Sequence, residues 1–249
     1  GVVHPFSGHA YELRYWLAAA GINPDQDVEI AVLPPRVMPD ALSAGQLDGY
    51  CVGEPWSSAA VAAGIGRIAT YKQKIWPDSP EKVLAATSEW AAANNNTLVS
   101  LIKALSDAAE WCAAAENAND LAMLMSGPEF LDCEPEVCLP ALTGVLRSGN
   151  GKESPAPGLF QFVSGQSALP RRAHGLWFYS QMVRWHQAEY SEEQAQLVEA
   201  VFDDAISRQA LDLSPAESHQ PGLGVSFFDG RPFDPDALAD YLDSTSATS

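Results

Sequence analysis

Short apolar runs alternate with helical patterns over residues 1–88. Five runs have strand length and end at turn-forming residues: 2–4, 28–33, 48–52, 67–71 and 83–87. Residues with helical spacing fill most of the intervals between them, as in folds where helices connect parallel strands. The pattern therefore predicts an α/β lobe with a largely parallel sheet.

The first three helices of this region have recognisable boundaries. Ser7 is placed to cap the first helix and Gly21 to end it. A second helix is predicted over 37–44, and Pro55 occupies the favoured first-turn position of a third. The expected apolar stripe of the first helix contains Leu13, Trp16, Leu17 and Ala20.

The pattern changes after residue 88, where helical spacing dominates. Helices are predicted over 90–115 with a break at 94–96, and over 117–126, 134–143, 173–188 and 191–210. Residues 147–170 are rich in Ser, Gly and Pro and are predicted to form a long surface loop. The chain is thus divided into an α/β ligand-binding lobe, 1–88, and a helical C-terminal part, 89–249.

The negative net charge of the chain argues against some classes of binding partner. The chain has 32 acidic and 14 basic residues and a net charge of −18, which disfavours direct binding to nucleic acid or to an anionic membrane. It contains no apolar run of about 18 residues, so no membrane span is predicted. It shows no signal peptide, but it opens on Gly1 and a strand-like run, which is typical of a segment cut from a longer protein.

Four cysteines show no C-x-x-C pair and no Cys/His spacing suited to a metal, so neither metal nor cofactor is predicted. Cys51 and Cys112 are expected to be buried free thiols. Cys133 and Cys138 could form a disulfide in an oxidising compartment. However, the helix start predicted at 134–137 is expected to hold these two apart.

Three motifs carry the candidate chemistry: Pro5-Phe6-Ser7-Gly8-His9, Cys51-Val52-Gly53-Glu54-Pro55-Trp56 and Trp76-Pro77-Asp78-Ser79-Pro80-Glu81-Lys82. Each lies where a predicted strand ends or begins. Together they offer an imidazole at a helix start, a glycine amide and a lysine, which are donors and positive charge for an oxyanion. No Ser or Cys lies near His9 in a recognisable catalytic motif. Ligand binding is therefore favoured over catalysis, and no catalytic residue is predicted.

Each candidate residue also has a purely structural interpretation. His9, in a first helical turn, is placed to meet an anion, or else it caps the helix or packs under a loop. Gly53 lies at the carboxyl edge of the sheet, where ligands bind, or it serves the turn alone. Lys82 enters an apolar run and needs an anionic partner, either a ligand or Glu54. Trp56 flanks the site as a ligand platform or as a core residue.

These motifs resemble the nitrate-binding protein family, a solute-binding group that also includes bicarbonate binders. The resemblance rests on 5–16, Val52-Gly53-Glu54-Pro55-Trp56 and 75–83. Further matches lie in Leu176-Trp177-Phe178, Val183-Arg184-Trp185, Phe228-Asp229-Gly230 and Phe233-Asp234-Pro235. It covers nearly the whole chain and is weakest over 147–170 and 191–222.

The resemblance implies a two-lobed fold of the periplasmic-binding-protein type II class that closes on its ligand. It also implies that one lobe begins before this chain, and that the helical part packs on that truncated lobe. Carried over by motif, the nitrate contacts are His9, Gly53 and Lys82. Bicarbonate relatives resemble this set but replace the basic pair and recruit a metal, so the basic pair favours nitrate or nitrite.

Two functions follow from the resemblance. The first is the solute-binding component of an ABC-type nitrate importer, periplasmic or membrane-associated, with an ABC permease as partner. The alternative is a cytoplasmic nitrate or nitrite sensor that controls an RNA-binding antiterminator regulator. Four cysteines without an obvious pairing, and the phrase Phe227-Phe228-Asp229-Gly230-Arg231, favour the sensor.

Overall fold

The computed structural model describes residues 1–77, 79–149, 151–214 and 227–246. Asp78 of the third motif and residues 215–222 of the weakly resembling stretch 191–222 lie outside them. The helices in these ranges are α1 Gly8–Ala19, α2 Met38–Ser43, α3 Trp56–Ala62, α4 Lys72–Ile75, α5 Ser88–Ala93, α6 Asn95–Ala113, α7 Ala118–Ser126, α8 Pro135–Leu142, α9 Arg172–Arg184, α10 Glu192–Val201, α11 Ala205–Ala210 and α12 Leu238–Ser246. The strands are β1 Val145–Arg147 and β2 Glu153–Pro155, and 3-10 turns lie at Pro35–Val37, Ala115–Asn117, Gly165–Ala168 and Pro235–Ala237.

The chain forms two compact units, each made of two stretches. The first contains Gly1–Pro77 and Cys112–Gln161, and the second contains Asp78–Trp111 and Phe162–Ser249. The units differ from the contiguous division predicted at residue 88, because the chain returns to the first unit at Cys112. The assignment of ligand binding to 1–88 stays a prediction.

Backbone hydrogen bonds in the first unit connect three of the predicted strand runs. The amide of Val2 donates to the Ala31 carbonyl at 2.9 Å, and the amide of Leu33 donates to the Val2 carbonyl at 3.0 Å. On the other side, the Cys51 amide donates to the Gly1 carbonyl at 2.9 Å. The pair of bonds around Val2 has the pattern of parallel strands, so the predicted parallel direction is correct for the runs containing Val2 and Val32.

None of the five predicted runs extends into a strand ladder among the described residues, and two of them lack even a bridge or a cross-run backbone bond. Residues 67–71 and 83–87 take part in no strand ladder among the described residues. Val83 and Leu84 are 67% and 48% exposed, so the run that was expected to be a buried strand faces solvent. An apolar run becomes a strand only when a neighbouring edge satisfies its backbone groups, and the local pattern cannot supply that edge.

The first helix begins as predicted but buries a different face. The Ser7 hydroxyl accepts the Ala10 amide at 3.1 Å, and Gly21, at φ +79°, follows the last turn. Its buried residues are Ala10, Tyr11, Glu12 and Tyr15, whereas the predicted stripe is half-buried or exposed. The core side of α1 is thus defined by two tyrosines and a carboxylate.

An antiparallel hairpin interrupts the predicted loop 147–170. β1 pairs with β2 through Val145 opposite Pro155 and Arg147 opposite Glu153. Arg147 Nε also donates to Glu153 Oε1 at 2.7 Å across the pair. The prediction of an uninterrupted loop over 147–170 is therefore wrong. A Gly- and Ser-rich composition does not reveal the cross-strand pairing and the ion pair of a short hairpin.

The second unit is helical, with its core around α9. α10 and α12 pack on α9. Trp177 is 1% exposed and stacks on Phe227 at a centroid distance of 5.3 Å, and Trp185 is also buried. The apolar face of α9 therefore has partners within this chain. The predicted helix 191–210 is in fact two helices, α10 and α11, separated at 202–204.

Candidate functional site

His9 lies in the first turn of α1, in the first unit. Ser7 caps this helix and holds the turn that contains Gly8 and His9. The side chain of His9 is half-buried, and its Nδ1 is shielded from solvent. An imidazole in the first turn of a helix, where the helix dipole is positive, is in the right environment to meet an anion.

Gly53 lies directly against this imidazole. A Cβ built on Gly53 would stand 3.9 Å from Cε1 of His9 and would meet no other atom within 4 Å. Gly53 follows the extended run whose Cys51 pairs with Gly1, while His9 follows the neighbouring run that contains Val2. The first two motifs therefore converge just after two adjacent extended segments, at the carboxyl end of each.

Glu54 is held beside this pair by the start of α3. Its Oε2 accepts the Ser58 amide at 3.2 Å. Burial raises the pKa of the Glu54 carboxyl, and the bonds from Ser58 oppose that increase. Glu54 is thus a desolvated carboxylate one residue from Gly53, with its orientation set by Ser58.

Tyr50 fixes the backbone on the other side of the turn. Its hydroxyl donates to the Trp56 carbonyl at 3.1 Å. Burial, followed by the charge of Glu54, raises the pKa of Tyr50 to about 12, so the phenol stays protonated and keeps donating at neutral pH. Trp56 itself is half-buried as the first residue of α3.

Substitution of Glu54 tests this electrostatic picture. Because the folded-state pKa is raised, the folded protein holds the Glu54 proton more tightly than the unfolded chain just above the ordinary pKa of 4.5. The free energy of unfolding therefore falls as pH rises through that window. Glu54→Gln keeps an acceptor for Ser58 but removes the charge, so we expect a higher melting temperature than wild type at pH 7.5.

The matched measurement is the same melting comparison at pH 4, where wild-type Glu54 is largely protonated. At pH 4 the difference in melting temperature between Glu54→Gln and wild type should be smaller than at pH 7.5. An equal difference at both pH values would show that burial of the Glu54 charge is not its cause.

Lys82 belongs to the second unit and is highly exposed. Its side chain is 84% exposed, and Nζ lies 2.5 Å from Oε1 of the neighbouring Glu81. The prediction that it enters a buried strand is wrong, because 81–87 are exposed throughout. Its carboxylate partner is Glu81. The sequence had suggested Glu54 or a ligand as the partner.

A buried ion pair under α1 was missed by the sequence analysis. Glu12 is 2% exposed, and Lys72 Nζ lies 3.2 Å from its Oε1. Lys72 opens α4, the short helix that packs against α1. The pair therefore ties the helix that carries His9 to α4.

A cavity elsewhere in the first unit is not lined by the predicted residues. It lies between α3, α8 and the hairpin, and Ser58, Glu136, Arg147 and Lys152 contribute its polar lining. Among the described residues, no group of three or more His, Cys, Asp or Glu side chains is arranged to hold a metal ion. In the same part of the chain, no helix is long and apolar enough to cross a bilayer.

Comparison with known proteins gives several matches. Nitrate import ATP-binding protein NrtC of Synechocystis is 34% identical over 97% of this chain, which spans 36% of that protein. Bicarbonate transport ATP-binding protein CmpC of Synechococcus elongatus is also 34% identical, over 98% of this chain and 36% of its own length. The chain thus spans about a third of the length of these relatives.

A solved structure shows the same fold. The periplasmic nitrate-binding protein NrtA from Synechocystis superposes with a TM-score of 0.90 at 29% identity, over 98% of this chain and 65% of that one. The predicted periplasmic-binding-protein α/β fold and the resemblance to nitrate-binding proteins are both confirmed. The family model described as NMT1-like matches residues 1–126. This chain therefore belongs to the NMT1-like family.

Proposed function

We propose that this chain binds nitrate or nitrite as the solute-binding component of an ABC-type importer. The observation that carries the proposal is the contact between His9 and Gly53 at a helix start. Nitrate is a planar, weakly hydrated monoanion, so a few directed donors and one or two cations suffice. One charge pair at 4 Å contributes roughly 4 kcal/mol at an effective dielectric of 20, and micromolar binding needs about 8 kcal/mol.

His9, Gly53 and Lys82 are the proposed ligand contacts, with Glu54 and Trp56 as flanking residues. Lys82 is available for this role because its ion pair with Glu81 lies at the protein surface. Exposed ion pairs contribute at most about 1 kcal/mol, so exchanging Glu81 for a ligand costs little. A catalytic role is not part of the proposal.

The relatives support the transport context. NrtA is described as a periplasmic nitrate-binding protein and NrtC as a nitrate import ATP-binding protein. We propose the same setting for this chain: a periplasmic or membrane-associated location and an ABC permease as partner.

Bicarbonate is the second candidate ligand, because CmpC is as similar to this chain as NrtC is. Isothermal titration of the protein with nitrate, nitrite and bicarbonate, with chloride as control, separates the two. Saturable binding of nitrate or nitrite but not bicarbonate is expected. Binding of bicarbonate alone would overturn the nitrate proposal, and no saturable binding of any oxyanion would overturn both.

Substitution at Gly53 tests the site itself. The added Cβ of Gly53→Ala meets His9 at an ordinary contact distance, so the fold should be retained while the approach to the imidazole narrows. We expect nitrate affinity to fall about tenfold, or about 1.4 kcal/mol. Gly49→Ala is the matched control, since a Cβ there meets nothing within 4 Å. Equal affinities of the two variants would remove Gly53 from the site.

A further inference from the structure

Two cysteines occupy paired positions at the start of α8. Glu134 is the residue that caps this helix, so Cys133 precedes the cap and Cys138 is the fourth helical residue. Side chains at these two positions pack against each other in the arrangement called a hydrophobic staple. Their Sγ atoms accordingly lie 3.8 Å apart. The expectation that the helix start would separate them is therefore wrong.

The segment before α8 holds Cys133 in place. The Cys133 amide donates to the Ser126 carbonyl at 3.2 Å, which ties the segment back to the end of α7. Arg36 Nη2 donates to the carboxylate of the preceding Asp132 at 2.6 Å. Cys138 is 2% exposed on α8, whereas Cys133 is half-buried. Both sulfur atoms are therefore positioned by surrounding structure.

We propose that Cys133 and Cys138 are a redox-active pair that forms a disulfide across the start of α8. Bond formation requires the sulfur atoms to approach to about 2.0 Å, a movement within the range of side-chain rotation from their present separation. The disulfide would join the 127–134 segment covalently to α8. The proposal does not depend on which ligand the protein binds.

The chemistry is thiol–disulfide exchange with a small disulfide such as oxidised glutathione. The Cys133 thiolate attacks one glutathione sulfur, and the glutathione S–S bond breaks with release of one glutathione thiolate. Cys138 then loses its proton and attacks the Cys133 sulfur, releasing the second glutathione. Two protein thiols are oxidised, and one glutathione disulfide is reduced to two glutathione thiols.

The order of attack follows from the environment of the two thiols. Burial, together with the neighbouring Cys133 and the charge of Glu54, raises the pKa of Cys138 to about 12. Cys138 therefore remains protonated at neutral pH and is a poor first nucleophile. The half-buried Cys133 is the more accessible of the two and is the expected site of the mixed disulfide.

The test uses the native protein in glutathione buffers of stepwise rising oxidising strength. Remaining thiols are alkylated, and the peptides are mapped by mass spectrometry. We expect a Cys133–Cys138 cross-link that reverses with dithiothreitol, while Cys51 and Cys112 stay alkylated. The oxidised form should also melt at a higher temperature than the reduced form.

Two variants and one control sample make the result decisive. Cys112→Ser should keep the cross-link, and Cys133→Ser should abolish it and leave Cys138 unmodified by glutathione. A urea-unfolded sample of the same protein shows that the buffers can oxidise this pair. If the unfolded chain forms the cross-link while the native protein keeps both thiols, the pair is only a packing contact and the proposal fails.

Discussion

Lys72→Ala should lower the free energy of unfolding by about 2–3 kcal/mol. Its Nζ lies 3.2 Å from Oε1 of Glu12, a side chain that is only 2% exposed. Removing one partner of a buried ion pair typically costs 3–5 kcal/mol, because the remaining charge stays desolvated. The expected loss is smaller here since the Lys72 side chain is 24% exposed. Urea unfolding, read from the midpoint at constant slope, measures the change.

Lys74→Ala is the matched control in the same helix. Lys74 is exposed and lies 5.2 Å from the Tyr71 ring centroid, so its removal should cost less than about 1 kcal/mol. Adding Glu12→Gln to Lys72→Ala should recover much of the loss, because the double variant buries no charge at position 12. Equal losses for Lys72→Ala and Lys74→Ala would mean that the Glu12 charge is stabilised by its other surroundings.

Local signals predicted most helix boundaries because capping is a local effect. Ser7 accepts the amide three residues ahead, and Gly21 takes the left-handed conformation that ends the helix. The burial of Glu12 was not predictable in this way. Its partner Lys72 is distant in the sequence, and the apolar stripe expected for α1 gave no reason to place a carboxylate in the core.

Strand predictions succeeded only where a neighbouring edge was available. The runs containing Val2 and Leu33 exchange parallel backbone bonds, and the run containing Cys51 donates one backbone bond to Gly1. The run 83–87 has a similar composition and is exposed. Composition reports the preference of a residue for a pleated, half-buried surface, while pairing depends on the arrangement of the rest of the chain.

The candidate site was predictable in part for the same reason. The rule that ligands bind at the carboxyl ends of parallel strands indicated that His9 and Gly53 would meet, and they do. The residues that orient the turn, Tyr50 and Ser58, carry no motif. The five-residue spacing of Cys133 and Cys138 across a helix cap was a usable signal that was interpreted the wrong way.

His9→Ala should weaken nitrate binding by about 10- to 100-fold. A charge-assisted hydrogen bond contributes roughly 1.5–3 kcal/mol, and the proposed site places this imidazole next to Gly53. Isothermal titration gives the affinity, and thermal unfolding of the same samples gives the stability. His9→Gln, which keeps a hydrogen-bond donor, should have an affinity between those of the wild type and His9→Ala.

His186→Asn is the control for loss of a histidine outside the site. His186 is exposed with φ +56°, a conformation that asparagine tolerates well, so neither affinity nor stability should change. Lys82→Ala in the same titration tests the contact that the resemblance implies, and it too should bind more weakly. If His9→Ala lowers the melting temperature but leaves nitrate affinity unchanged, His9 supports the first turn of α1 by packing, and the anion is bound elsewhere.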